Sequence, residues 1–145
     1  MSQRVLIVDD SPDDIEMIER ILTDQSVSIL GVSDPSTVEE AFKHFEPDIV
    51  LLDLHMPEID GLEVLRRLRG ARSAAGFVPV VVLTGDQGKV ARNSALVLGA
   101  DDFLTKPLDP QEVVLRVRNL LRTRQLYVEL AQANRNLERE LNQPS

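Results

Sequence analysis

Five short apolar runs, each followed by a stretch of helical spacing, constrain this chain more than any other feature. Residues 4–8 (RVLIV), 27–32, 48–52 and 78–83 are rich in Val, Ile and Leu and bounded by polar or turn residues; 103–105 is a weaker fifth. Runs such as IVLL at 49–52 and VVVL at 80–83 show no polar alternation, the pattern of strands buried on both faces of a parallel sheet. Between them, Ile15, Ile18, Ile21 and Leu22 recur at helical spacing after Ser11-Pro12-Asp13-Asp14, a start with an N-cap serine, an early proline and acids over the positive helix end. Val38, Ala41, Phe42 and Phe45 mark a second helix, Leu62, Val64, Leu65 and Leu68 a third, and residues 90–98 a fourth closed by Gly99. Strand and helix alternate five times. This predicts an α/β fold, a doubly wound five-stranded parallel sheet with right-handed crossovers and helices on both faces.

The fifth helix departs from that economy. From Pro110 to about Asn142 neither Pro nor Gly interrupts it, enough for roughly 50 Å at ~1.5 Å per residue. A domain of this size needs only its first part, so the expected division is 1–122 for the globular unit and 123–145 for a helical stalk or linker. Leu126, Leu130, Leu137 and Leu141 line the stalk, but only Leu130 and Leu137 keep a seven-residue repeat, short of a clean coiled-coil seam. The small-residue stretch 70–77 is expected to be a flexible connection.

Charge is unevenly spread along the chain. Residues 1–109 carry 10 Lys/Arg against 20 Asp/Glu, a net of −10, while 110–145 carry 6 Arg against 4 Glu. An acidic body lacks the basic footprint of direct nucleic-acid binding and suits divalent cations or basic partners. The tail arginines alternate with acids and leucines and are expected on a solvated helix face. There is no cysteine, which excludes disulfides and thiolate metal sites. The N-terminal apolar run stops at two aspartates, too short for a leader or a membrane span, so a cytoplasmic protein is expected.

Strand ends carry the chemistry, because open α/β sheets bind ligands beyond the carboxyl ends of their strands. The first run stops at Asp9-Asp10, the third at Asp53, the fourth at Thr84 and the fifth at Lys106. Three carboxylates, a hydroxyl and an ammonium would therefore meet at one edge. Carboxylates that close raise one another's pKa unless a cation offsets them, and Mg²⁺ with oxygen ligands does this most naturally. A carboxylate held in line can attack phosphorus to form an aspartyl phosphate, with Mg²⁺ and a lysine countering the charge on the phosphoryl oxygens.

At this point VLIVDDS, DIVLLDLHMPEIDG, VVVLTG and LGADDFLTKPL, in order and in register with the strand ends, resemble the receiver domains of bacterial response regulators over residues 4 to about 122. The resemblance implies a flavodoxin-like strand order 2-1-3-4-5. It implies that Asp53 accepts phosphate from a histidine kinase or phosphotransfer protein, a signalling switch and not an enzyme in its own right. Asp10 would bind Mg²⁺ directly and Asp9 through water, with the backbone carbonyl of His55 completing the set. Lys106 would pair with the phosphoryl group and precede a cis bond to Pro107. Thr84 would move toward the phosphate and Phe103 turn inward, altering the face made by the fourth helix, fifth strand and fifth helix. A homodimer would use that face or the C-terminal helix. His55, two residues past the acceptor, occupies a place where side chains modulate dephosphorylation, and Phe103 lacks a tyrosine hydroxyl.

Plainer readings compete. Asp13 and Asp14 read as first-turn helix acids, Asp101 and Asp102 as a turn, and His44 as a surface residue. Residues 85–89 (GDQGK) lack the spacing of a nucleotide loop. A haloacid-dehalogenase-type phosphatase would need a second aspartate where His55 stands. A docking module that is never phosphorylated would not need every acid intact.

Overall fold

The computed structural model describes residues 2–56, 60–70, 76–85 and 89–143. Five parallel strands, β1 (Gln3–Val8), β2 (Val27–Val32), β3 (Ile49–Asp53), β4 (Val80–Thr84) and β5 (Asp102–Thr105), form one sheet in the order β2-β1-β3-β4-β5. The helices are α1 (Pro12–Ile21), α2 (Val38–Phe45), α3 (Gly61–Gly70), α4 (Lys89–Val97) and α5 (Pro110–Asn142). This is the predicted doubly wound, flavodoxin-like fold with an extended last helix. Most of the expected 70–77 connection, at 71–75, and the centre of the 85–89 loop, at 86–88, lie outside the described residues.

The two-residue period of the strands divides the core. Leu6, Val8, Val50, Leu52, Val80 and Val82 face Val38 and Phe42 of α2, Val64, Leu65 and Leu68 of α3 and Ala95 of α4. Their neighbours Val5, Ile7, Ile49, Leu51, Val81 and Leu83 face Ile15 and Ile18 of α1 and Val113, Val117 and Leu121 of α5. Both faces of the central strands are sealed, so hydrophobic burial on two sides holds the strand ends in register. β3 and β4 run one residue further than the apolar runs alone suggest, taking in Asp53 and Thr84.

Local signals start and stop the helices as read. The Ser11 side chain accepts the Asp14 N–H at α1, and the Asp109 side chain accepts the Gln111 N–H at α5. Gly99, at φ 102°, turns the chain after α4 in a conformation that other residues resist. The Lys106–Pro107 bond is cis.

One expectation about α5 is corrected. Its arginines do not all lie on a solvated face: Arg124 is buried, one turn past Leu121 on the core-facing side. Its guanidinium meets Asp48 Oδ1 at 3.3 Å and donates to the Phe77 carbonyl at 2.8 Å. Asp48 Oδ2 in turn accepts the Arg4 N–H at 2.8 Å. Tyr127 adds an edge-on contact to Phe77, and from residue 132 to 143 every side chain is exposed. Helical phase explains the difference, since Arg124 follows Leu121 by three positions and so falls on the face that Val113, Val117 and Leu121 turn to the core. No described helix is long and apolar enough to cross a membrane.

Removing Arg124 takes the guanidinium from the part-buried Asp48 carboxylate and the donor from the Phe77 carbonyl, so Arg124→Ala is expected to lower unfolding free energy by about 2–4 kcal/mol. Arg139→Ala, exposed in the extension, should stay within about 0.5 kcal/mol. Chemical denaturation of both variants checks this.

Candidate functional site

Adjacent strands bring the acids together. Val8 pairs with Leu52 across β1 and β3, so Asp9 and Asp53 leave neighbouring strands at one level. Asp9 is fully buried, Asp53 is 2% exposed and Asp10 is half-buried. One carboxylate oxygen from each lies within 4.8 Å of the others. Asp53 Oδ1 accepts the His55 N–H at 3.0 Å, which orients the carboxylate. The His55 residue itself is exposed, two positions past Asp53.

Lys106 reaches this cluster from β5, the outermost strand. Its N–H donates to the Thr84 carbonyl, which ties the end of β5 to the end of β4. Its ammonium then extends past β4 to Asp9 Oδ2 at 3.0 Å and stands 3.6 Å from Asp53 Oδ2. Burial works against the charge on Lys106. Hydrogen bonds to Asp14 and Asp9, with the charge of Asp53, outweigh it and hold the pKa above the usual lysine value.

Thr84 lies between, fully buried, and its Oγ1 finds no hydrogen-bond partner among the described residues. A buried hydroxyl without a partner costs on the order of 1–3 kcal/mol, which marks a position kept for something other than stability. Gly61 closes the site from behind. A Cβ there would lie 2.5 Å from Leu54 Cα and 2.7 Å from the Asp53 carbonyl oxygen, so only glycine lets α3 begin against the acceptor backbone. Phe103, on β5, is half-buried against the α2–α3–α4 cluster, with the Arg92 guanidinium of α4 4.7 Å from its ring centroid.

The structure thus unites Asp9, Asp10, Asp53, Lys106 and Thr84 at one edge and sets Phe103 beside them under α4. It also corrects the plain reading of Asp14. That residue is more than a first-turn acid: its Oδ2 accepts from Lys106 Nζ at 3.0 Å. Asp101 and Asp102 are likewise tied in, Asp101 to the Val80 N–H and Arg69, Asp102 to Arg116. Arg92 was not singled out by the sequence, because nothing in helical spacing indicates an arginine lying over a ring.

The donor set fits a hard divalent cation. The three converging side-chain donors are carboxylate oxygens, and the cluster carries more negative charge than one lysine offsets.

Residues 5–118 match the response regulator receiver domain family. The chain is 40% identical over 122 residues to the DNA-binding response regulator MtrA of Mycolicibacterium smegmatis, covering 84% of this chain and 52% of that one. It is 39% identical over 118 residues to the probable transcriptional regulatory protein TcrX of Mycobacterium tuberculosis, covering 81% and 49%. It therefore spans about half the length of these curated relatives. A putative response regulator from Chloroflexus aurantiacus superposes with a TM-score of 0.74 at 29% identity, covering 83% of this chain and 98% of that one. The chain belongs to the response-regulator receiver family.

Burial pushes the Asp9 carboxyl up to about 6 from its ordinary 3.8; the Ser11 N–H and Lys106 oppose the rise and the charge of Asp53 adds to it. Folded Asp9 therefore binds a proton between those two values while the unfolded chain has released it. Stability falls as pH rises through this window, by about 2–3 kcal/mol in all. Without divalent cation, Asp9→Asn is expected to flatten the stability profile between pH 4 and 6 and to be the more stable protein above pH 7. Denaturation midpoints across that range measure it.

Proposed function

We propose that this receiver is a phosphoacceptor switch in which Asp53 takes a phosphoryl group from the phosphohistidine of a histidine kinase or phosphotransfer protein. The observation that carries this reading is the buried Asp53 carboxylate facing Lys106, with the Thr84 hydroxyl, unpartnered among the described residues, at the neighbouring strand end. An Asp53 oxygen attacks phosphorus, the P–N bond breaks, and the imidazole leaves and regains its proton in solution. Asp9, Asp10, Asp53 and the His55 backbone carbonyl would hold Mg²⁺, which supplies charge neutralisation at the phosphoryl oxygens. Lys106 offers an ammonium to those oxygens and Thr84 a hydroxyl. Drawing Thr84 toward the phosphate opens room beside β4, and Phe103 turns into it, giving up its contact with Arg92. The face of α4, β5 and α5 changes and signals to a protein partner or a downstream domain, and a homodimer would form there or on the C-terminal helix. Residues 1–122 act as the switch, in the cytoplasm, and 123–145 as the stalk or linker. Catalysis extends only to its own phosphoryl transfer and hydrolysis.

Incubation with acetyl phosphate and Mg²⁺ is expected to add one phosphoryl group to the wild type by intact mass and none to Asp53→Asn. No gain in a folded wild type, even with a kinase present, would leave a docking module in place of a switch.

Thr84→Val tests the hydroxyl separately. Unmodified, it should be at least as stable as wild type, since the lost group bonds nothing among the described residues; its affinity for the phosphoryl mimic beryllofluoride should fall about tenfold, on the order of one charge-assisted hydrogen bond. Thermal melting and titration read the two effects.

A further inference from the structure

Lys106 stands between the acceptor cluster and one further acid, Asp14. Its ammonium has three N–H donors. Two are engaged at 3.0 Å by Asp9 Oδ2 and Asp14 Oδ2. Asp53 Oδ2, at 3.6 Å, is within ion-pair range but beyond a hydrogen bond. Asp14 is not among the acids whose oxygens converge. It reaches the lysine because Asp9 Oδ1 accepts the Ser11 N–H at 3.0 Å and Ser11 Oγ accepts the Asp14 N–H at 3.3 Å, which together fix the first turn of α1. Asp9 thus holds Lys106 with one oxygen and, through Ser11, aims the competing carboxylate with the other.

A phosphoryl group on Asp53 brings oxygens that need the same ammonium. We propose that Asp14 is a positioning residue that holds Lys106 toward α1 and competes with the phosphoryl group on Asp53 for it, so setting how tightly the acceptor keeps its anion. This rests on the acceptor reading above. Loss of the Asp14 charge frees one ammonium donor and removes a negative charge beside the incoming anion. Both effects favour the anion. The same loss disfavours a cation, which meets less negative charge and a lysine freer to lean on Asp53 and Asp9. Anion and cation affinities therefore move in opposite directions, whereas a loosened site weakens both.

The test is a titration of Mg²⁺ alone, then of beryllofluoride at saturating Mg²⁺, followed by amide NMR shifts near His55 and Thr84. Wild type, Asp14→Asn and Asp13→Asn are compared, Asp13 being the exposed acid one position earlier. Asp14→Asn is expected to bind beryllofluoride about fivefold tighter, the scale of one partly exposed ion pair, and Mg²⁺ more weakly. Asp13→Asn should leave both constants near wild type. Equal affinities in Asp14→Asn and wild type, weakening of both ligands together, or the same shifts in Asp13→Asn would overturn the positioning role alone. A wild type that binds neither ligand would overturn the acceptor reading and the competition with it.

Discussion

The charge balance at the carboxyl edge of the sheet is what the rest of the molecule has to support. Asp9 and Asp53 are almost completely removed from water on adjacent strands. One oxygen of each lies within 4.8 Å of the other, where two like charges repel by roughly 3–4 kcal/mol at an effective dielectric of about 20. One ammonium offsets part of this, and it comes from the far side of the sheet. β5 is separated from β3 by β4, so Lys106 must pass the end of β4 to reach the acids. That path places Thr84 beneath it and ties the two strands by the hydrogen bond from Lys106 N–H to the Thr84 carbonyl. Burial still disfavours the charged form of Asp9, as its raised pKa registers. The two apolar clusters on the sheet faces supply the stability that lets this edge persist.

Precision at this edge comes from backbone as much as from side chains. Asp53 is oriented by the His55 N–H, Asp9 by the Ser11 N–H, and the chain after Asp53 is pressed by Gly61 at the start of α3. These are fixed dipoles and close contacts that need no rearrangement when charge develops nearby. Thr84 is the exception, a buried hydroxyl with nothing to bond among the described residues. Rigid acids beside one unsatisfied group make a site that holds its shape until something brings an oxygen to Thr84.

Much of this was legible in the residues. Continuous apolar runs of four or five report buried parallel strands directly, and the residue that ends each run is the residue at the sheet edge, so Asp9, Asp53 and Thr84 could be read off, and Lys106 less directly from the weaker run 103–105. Order along the chain does not give order across the sheet; that came from the resemblance and is what the strand pairings show. The helical partners were harder. Asp14 and Arg124 look like the acids and arginines around them, and their roles depend on which point of the helical turn faces inward. A pattern of charges records composition along a helix, while the phase of one side chain is set by packing elsewhere. Asp48 was hidden for a similar reason: it sits before a strand, where an acid usually signals only a turn.

The same phase argument accounts for α5. Its core-facing side runs through Val113, Val117, Leu121 and Arg124, spaced by four, four and three residues. Leu126 follows Arg124 by two positions, about 200° around the helix. Leu126, Leu130, Leu137 and Leu141 therefore lie on the side away from the sheet, as does Leu115, and all five are exposed. One helix carries two apolar stripes half a turn apart, the first used by the domain and the second open to solvent. This is why the helix as a whole reads as weakly amphipathic although each segment has a clear apolar side. Past Leu121 the side facing the domain turns polar at Arg124, which bonds Asp48 and the Phe77 carbonyl, and Tyr127 follows with a ring contact to Phe77. The direction in which the extension leaves the domain is thus set where β3 begins, at the opposite end of the strand that carries Asp53.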